Sequence, residues 1–400
     1  MSLDSASLDS ALHDARSIQD WIVNLRRQIH RHPELMYEEV ETSRLVQQTL
    51  SELDIPFQAD IAKTGVLAQI GDGSGPCVAL RADMDALPIH EEADVAFRSE
   101  IDGKMHACGH DCHTAMLLGA ARLLKQRESE LSGTVKFLFQ PAEEGGAGGM
   151  RMRDEGALNN PDVQRIFGLH VWPLTNTGGI ASRTGVFLAA SGGLEITVRG
   201  KGGHAAMPHL SIDPVTTSAK IITELQTIIS RELDPLESGV ISITSVHGGE
   251  AYNIIPMEMK LRGTIRALSL HQLEAFQERV REIAVLIATA NRCEAVVNFP
   301  GHNYPPTVND EHCWQLAQEI SGELLGEGSV NESPPIMGGE DFAYYTETVP
   351  GCFVGLGVRN EEIGAEFNVH HPRFKVDEDA LPIGAALHVA FAVRSLDELQ

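Results

Sequence analysis

The sequence predicts an α/β protein: a mainly parallel-sheet domain interrupted by an inserted α+β domain with a four-stranded sheet and two helices. Three observations predict it. Between residues 65 and 172, apolar strand-like runs alternate with helical stretches, the order of a parallel sheet. Near residue 188 the texture changes to a β-α-β-β-α-β order lasting about 110 residues, which suits a small α+β domain. After YPPTVND (304–310) the helix-strand-helix pattern returns. A chain of 400 residues has room for two or three domains. The expected division is a discontinuous α/β domain of residues 1–188 and 304–400 around an insertion of residues 189–303.

The elements follow in order. Residues 18–31 (IQDWIVNLRRQIHR) place apolar side chains at helical spacing, Pro33 marks the end, and residues 38–53 repeat the pattern. GVLAQI (65–70) and CVALRAD (77–83) read as a β-hairpin across GDGSGP (71–76). The G-x-G-x-G in that turn joins two strands with no helix directly after it, which argues against dinucleotide binding. A helix at 113–127 precedes strands at 134–141 and 165–172. The insertion has strands at 193–200, 240–247, 258–265 and 294–299, with helices over 213–231 and 270–291. A helix at 311–325, a strand at 352–357 and a helix at 377–396 complete the chain. The tandem SLDSA within residues 2–11 is the only internal repeat and reads as a disordered leader.

Composition excludes several classes of function. Lys plus Arg number 31 against 56 Asp plus Glu, a formal net charge of −25 that repels a phosphate backbone, so nucleic acid is not expected as a partner. No run approaches the roughly 18 apolar residues of a membrane span. The polar, acidic N-terminus lacks the basic and apolar regions of a secretory signal, so a cytoplasmic protein is expected. Six cysteines in 400 residues are too sparse for a disulfide framework, and any special cysteine is better read as a metal ligand or a reactive thiol.

The strongest chemical signal is MHACGHDCH (105–113). Cys108 and His110 lie two apart just before a helix, so in an extended segment they project from one side. Thiolate and imidazole together suit Zn²⁺ or a neighbouring first-row ion. The competing readings are a metal-free Cys/His loop and a Cys108–Cys112 disulfide. Glu143 and Glu144 in QPAEEGGAGG (140–149) follow an apolar strand and enter a Gly-rich turn, where backbone can approach a ligand closely. Adjacent side chains point apart, so one carboxylate can hold a metal while its neighbour works on a water. His170 ends RIFGLH, His370 and His371 precede a proline in NVHHPRF, and Asp83 and Asp85 close another strand in RADMDALP. Taken singly, the bland readings are solvated charge for the glutamates and structural roles for the histidines. Together these groups fall at strand carboxyl ends, where open α/β sheets place their sites.

RADMDALP, MHACGHD, PAEEGGAGGM, GLHVWP, GKGGHAAMPH, YNIIP, RGTIR and GGEDFAYY, in that order, resemble the M20 metallopeptidase family from about residue 20 to 395. Within that family the chain looks like the amidohydrolase branch that includes hippurate hydrolases, N-acyl-amino-acid amidohydrolases and auxin-conjugate hydrolases. The resemblance implies a catalytic α/β domain with an inserted lid or dimerisation domain. It implies two divalent ions, Zn, Mn, Co or Ni, held by Cys108, His110, Glu144, His170 and a C-terminal histidine. Alignment on Pro372 selects His370, although His371 stands beside it. The wider peptidase group has a ligand histidine where this chain has Asp83, so Asp83 and Asp85 are expected to support the site. The base falls on Glu143.

In the insertion, the resemblance assigns His204 to a loop that reaches an active site, often the partner subunit's in a homodimer. Asn253 and Arg266 match positions that hold substrate; the planar fork of an arginine suits a carboxylate. The implied function is metal-dependent hydrolysis of N-acyl amino acids. A dipeptidase or carboxypeptidase of the same family is the rival enzyme. A non-catalytic metal-binding or dimeric scaffold is the rival from another class, and it has no need of a base at Glu143.

Overall fold

The computed structural model describes residues 5–400, with side chains from residue 11 onward. It divides into two compact units: one of residues up to Phe187 with Val308–Pro334 and Asp341–Gln400, the other of Leu188–Thr307 with Pro335–Glu340. The segment Pro335–Glu340 thus groups with the insertion, outside the expected span of 189–303. It does so through backbone: the Ala189 N–H donates to the carbonyls of Ile336 (3.0 Å) and Gly338 (2.8 Å).

The larger unit is α/β. Its eight-stranded sheet runs in the order Phe57–Ile61, Gly65–Ile70, Thr134–Gln140, Cys77–Asp83, Arg165–Asn176, Gly351–Arg359, Ile180–Ser182, Val330–Glu332. The four central strands, from Thr134–Gln140 to Gly351–Arg359, are mutually parallel. Three of them carry no exposed residue over their central spans, as a sheet covered on both faces requires. The helices Gln19–Arg31, His110–Gln126, Glu311–Leu325 and Leu381–Glu398 supply side chains to the same hydrophobic core. The segment Glu378–Glu398, which contains the last of these, is long and apolar enough to cross a membrane by length and composition, but it is mostly buried among the core residues.

Three expectations are corrected. Gly65–Ile70 and Cys77–Asp83 do not form a hairpin, because Thr134–Gln140 lies between them, antiparallel to the first and parallel to the second. The intervening loop crosses two strand spacings, about 9.6 Å, which its six residues span easily. His170 does not end its strand, which continues to Asn176. It lies instead beyond Gly168, the last residue paired with the neighbouring strand at Arg81, so it stands clear at that strand's carboxyl edge. The leader read as disordered is helical from Ser5 to Ser17; residues 2–4 of the repeat lie outside the described residues.

The smaller unit is a four-stranded antiparallel sheet in the order Gly239–His247, Glu258–Ala267, Ala190–Arg199, Glu294–Asn298. Leu194, Ile196 and Val198 with Met259, Leu261 and Ile265 alternate along the two central strands. They pack against Ile221 and Leu225 of one helix and Leu273, Phe276 and Val280 of another. Both helices begin on side-chain caps. Asp213 accepts from the Val215 and Thr216 N–H groups, and Ser269 accepts from that of Gln272.

Candidate metal centre

The parallel strands place their carboxyl ends beside the start of the helix His110–Gln126, and the candidate ligands gather there. Ligand atoms of Cys108, His110 and His170 lie within 4.8 Å of one another. So do those of Cys108, Glu144 and His370, and those of His110, Glu143 and Glu144. Two ligands about 2.0–2.3 Å from one ion can be no more than about 4.6 Å apart, so this is nearly the spacing that coordination needs. The groups share Cys108, His110 and Glu144, which links all five candidate ligands to the candidate base.

The surrounding hydrogen bonds fix how each donor is presented. His110 is wholly buried; its Nδ1 donates to Asp85 Oδ1 at 3.2 Å, and its Nε2 has no hydrogen-bond partner among the described residues. His170 Nδ1 donates to the Val171 carbonyl at 2.8 Å, while its Nε2 lies 3.3 Å from Cys108 Sγ. An imidazole held through one nitrogen offers the lone pair of the other to a metal. Burial and His113 push the His170 ring well below its ordinary pKa, which keeps it in the neutral, ligating form. The thiol of Cys108 is pushed far up by burial, then by Glu144, Glu143 and Asp83. Burial opposes charge on His110, yet Asp83, Asp85 and Glu144 outweigh it and raise its pKa to about 10. The cluster therefore has an excess of negative charge calling for a cation. One thiol, three imidazoles and carboxylates form a donor set that fits divalent first-row ions.

His370 and His371 separate clearly. His370 Nε2 lies 3.1 Å from Glu144 Oε1, and its backbone N–H donates to Ala107 O. The His371 ring stacks on Phe367, centroids 4.5 Å apart, and its Nδ1 accepts from the Arg373 N–H. Only His370 joins the cluster.

Asp83 and Asp85 stand behind these groups. Asp85 accepts the Glu143 and Glu144 N–H bonds, both 3.0 Å, one on each oxygen. Asp83 accepts from His113 Nδ1 and from Arg81 Nη1, and His113 Nε2 in turn accepts the Val171 N–H at 2.9 Å. Sequence reasoning missed His113, Arg81 and Asp111. Asp111 is buried between Arg26 Nε (2.7 Å) and His30 Nδ1 (2.8 Å), which anchors the first turn carrying His110. The density of charge in MHACGHDCH marked Asp111 and His113, but nothing local identified their partners. Cys108 and Cys112 are both free thiols, so the disulfide reading falls.

The smaller unit presents its own set. Gly203–His204 pairs with Ile254–Ile255, and the Ala205 N–H donates to the Asn253 carbonyl at 2.9 Å, so His204 and Asn253 are neighbours. His204 is exposed; its Nδ1 accepts from the Ala206 N–H at 3.1 Å, leaving Nε2–H as a donor in the neutral ring. Arg266 sits in the strand Glu258–Ala267, paired with Val240 and Ser191, and its Nη1 donates to the Met337 carbonyl at 3.2 Å.

A family model described as Peptidase family M20/M25/M40 matches residues 79–394. The chain is 45% identical to IAA-amino acid hydrolase ILR1-like 4 of Arabidopsis thaliana, over 95% of this chain and 87% of that protein. It is 40% identical to thermostable carboxypeptidase 2 of Saccharolobus solfataricus, over 96% and 97%. Among solved structures, the Bacillus subtilis YXEP protein, a dinuclear metal-binding peptidase of the M20 family, superposes with a TM-score of 0.80. It is 37% identical, over 96% of this chain and 99% of that one.

Proposed function

Because the chain belongs to peptidase family M20/M25/M40, we propose that it is a metal-dependent amide hydrolase cleaving N-acyl amino acids to a carboxylic acid and a free amino acid. The observation that carries this reading is the convergence of Cys108, His110, Glu144, His170 and His370 around the adjoining carboxylate of Glu143. The similarity to a dinuclear peptidase supports two divalent ions, from Zn²⁺, Mn²⁺, Co²⁺ or Ni²⁺. When bound, such ions lower the pKa of a water and polarise the scissile carbonyl.

The rest belongs to the protein. Glu143, buried beside the ligands, takes a proton from the attacking water and returns it to the leaving amine. Asp85 orients His110 through its Nδ1 and both glutamates through their N–H groups. His204 donates from Nε2 to the developing oxyanion, and Asn253 with Arg266 holds the carboxylate of the amino-acid product. The inserted unit serves as lid and dimerisation domain, with a homodimer sharing its sites. Six free, buried cysteines suit a reducing compartment, and we place the enzyme in the cytoplasm.

The likeness to an IAA-amino acid hydrolase favours acyl conjugates, and the likeness to a carboxypeptidase supports peptides as the second reading. A panel of N-acetyl, benzoyl and indole-acetyl amino acids beside dipeptides, with each metal added back, tests both. Faster hydrolysis of conjugates than of peptides is expected; the reverse order selects the carboxypeptidase reading, and no turnover of any amide with any metal refutes the proposal.

A further inference from the structure

The loop carrying Glu143 and Glu144 is held from behind by a segment that no ligand or base belongs to. Three consecutive backbone N–H groups of the loop donate to buried carboxylates. Glu143 and Glu144 donate to Asp85, as described; Ala142 donates to Glu39 Oε1 at 2.9 Å. The second oxygen of Glu39 accepts from Thr64 Oγ1 at 2.6 Å, and the residue has no solvent exposure. Two residues earlier, the Tyr37 hydroxyl donates to the Gly146 carbonyl at 2.6 Å. The fit there is close: a Cβ on Gly146 would stand 2.6 Å from Ala142 Cβ and 2.9 Å from Tyr37 Cε2.

The loop needs such a hold. Ala142 (φ +55°) and Ala147 (φ +52°) are left-handed without being glycine, a conformation that persists only where the surroundings impose it. The holding segment is itself anchored. The Glu34 carboxylate accepts from the N–H groups of Val40, Glu41 and Thr42 at the start of the helix Val40–Glu52. The Glu34 carbonyl accepts from the Ala86 N–H at 2.8 Å, one residue beyond Asp85. Glu39 and Asp85 are therefore tied to each other through backbone and to the loop through their carboxylates.

We propose that Glu39 and Tyr37 are positioning residues for the hydrolytic reaction: they fix the strained backbone that aims Glu143 and Glu144, and act only through it. The proposal rests on the roles given above to those two glutamates. Burial pushes the Glu39 carboxyl up to about 7 against the bond from Thr64, so an uncharged side chain of the same shape fits this place. Glu39→Gln keeps an oxygen for the Ala142 N–H, whereas Glu39→Ala removes it.

The test combines amide hydrogen exchange of the metal-free protein with steady-state kinetics of the metal-loaded enzyme. Glu39→Ala should exchange faster across residues 142–149 and as wild type in the central strands. It should lose kcat by roughly 10²-fold, the size of effect a misplacement of about 1 Å produces, with KM nearly unchanged. Glu39→Gln should recover both properties. Wild-type exchange in the loop of Glu39→Ala, or a Glu39→Gln variant as impaired as Glu39→Ala, would overturn the proposal. Should Glu39→Ala not fold, Tyr37→Phe removes a single hydroxyl; it should speed loop exchange and lower kcat severalfold, and wild-type values of both would equally overturn it. The exchange readout needs neither metal nor substrate. Altered loop exchange in a chain whose wild type hydrolyses no amide would refute the proposed function, not the clamp.

Discussion

In the α/β unit, His110 is wholly buried among the other ligand groups, its Nδ1 bonded to Asp85 and its Nε2 3.7 Å from Asp83 Oδ2. In the inserted unit, His204 is exposed to water and carries one bond from the Ala206 N–H. The same side chain is thus set in two opposite ways. Burying several ionisable groups together is costly, and the arrangement persists because each is paired, hydrogen-bonded or able to share a cation. It is preorganised before substrate arrives. An exposed histidine gains little from its surroundings until something excludes water from it. The first set should govern metal content and proton transfer, the second the hold on a bound substrate and on its developing oxyanion.

Removing metal tests the first half of that contrast most severely. Rigorous chelation should abolish hydrolysis and add-back should restore it, because the attacking water depends on the ions; full turnover by a metal-free preparation would remove the basis of the proposed chemistry. Next in size is Glu143→Gln, which should keep its metal and lose on the order of 10²–10⁴-fold in kcat. Loss of metal in that variant, measured by elemental analysis, would show that Glu143 and Glu144 have been given each other's roles.

His204→Ala sharpens the comparison from the other side. It should retain metal and fold and lose roughly 10²–10³-fold in kcat, the worth of one oxyanion donor. If sites are shared across a homodimer, mixing inactive Glu143→Gln and His204→Ala chains should recover part of the activity, since each mixed dimer then has one intact site. No recovery despite proven subunit exchange would confine His204 to its own chain's site or remove it from the chemistry. Of the two adjacent histidines, His370→Ala should weaken metal binding by about 10–100-fold, comparable to losing a supporting residue of a metal site. His371→Ala, whose ring stacks on Phe367, should leave stoichiometry unchanged. Equal metal loss in both would undo their separation.

The parts of this contrast that were legible in the sequence are those written in residue type. Cys108 and His110 two apart, paired glutamates after a strand and a histidine before a proline are chemistry-bearing residues in short windows. Apolar runs between helical stretches gave the central strands of the larger sheet, and the strand-helix order of the insertion gave the four-stranded one. What was not legible depends on partners far along the chain. Arg81 reads as an ordinary strand arginine until it meets Asp341, 260 residues on. Glu39 looks like a solvated charge in MYEEVE but is buried against Ala142. The hairpin reading of 65–83 failed because nothing in those residues shows that a strand from 134–140 lies between them. His370 and His371 are chemically identical in sequence; the positive φ of His370 (+64°) and the stacking of His371 set them apart.

The smallest effect should come from Arg266. Its strand is paired on both sides, and its Nη1 already donates to the Met337 carbonyl, so the guanidinium is oriented before any ligand arrives. Orientation of a planar fork is what carboxylate binding needs, and it limits the entropy lost on binding. Yet a contact to the product carboxylate lies away from the scissile bond and is made equally in ground and transition states. Such uniform binding appears in KM and not in kcat. Arg266→Ala should therefore raise KM by roughly tenfold, the worth of about one charged hydrogen bond, for substrates with a free carboxylate. It should change kcat little and have almost no effect on the corresponding carboxamides. Comparing each acyl amino acid with its own amide isolates that term, because the acyl group and scissile bond stay the same. A kcat loss matching that of His204→Ala, or an equal KM rise for the amides, would place Arg266 at the reacting carbonyl, and the inserted unit would then contribute two groups to the chemical step.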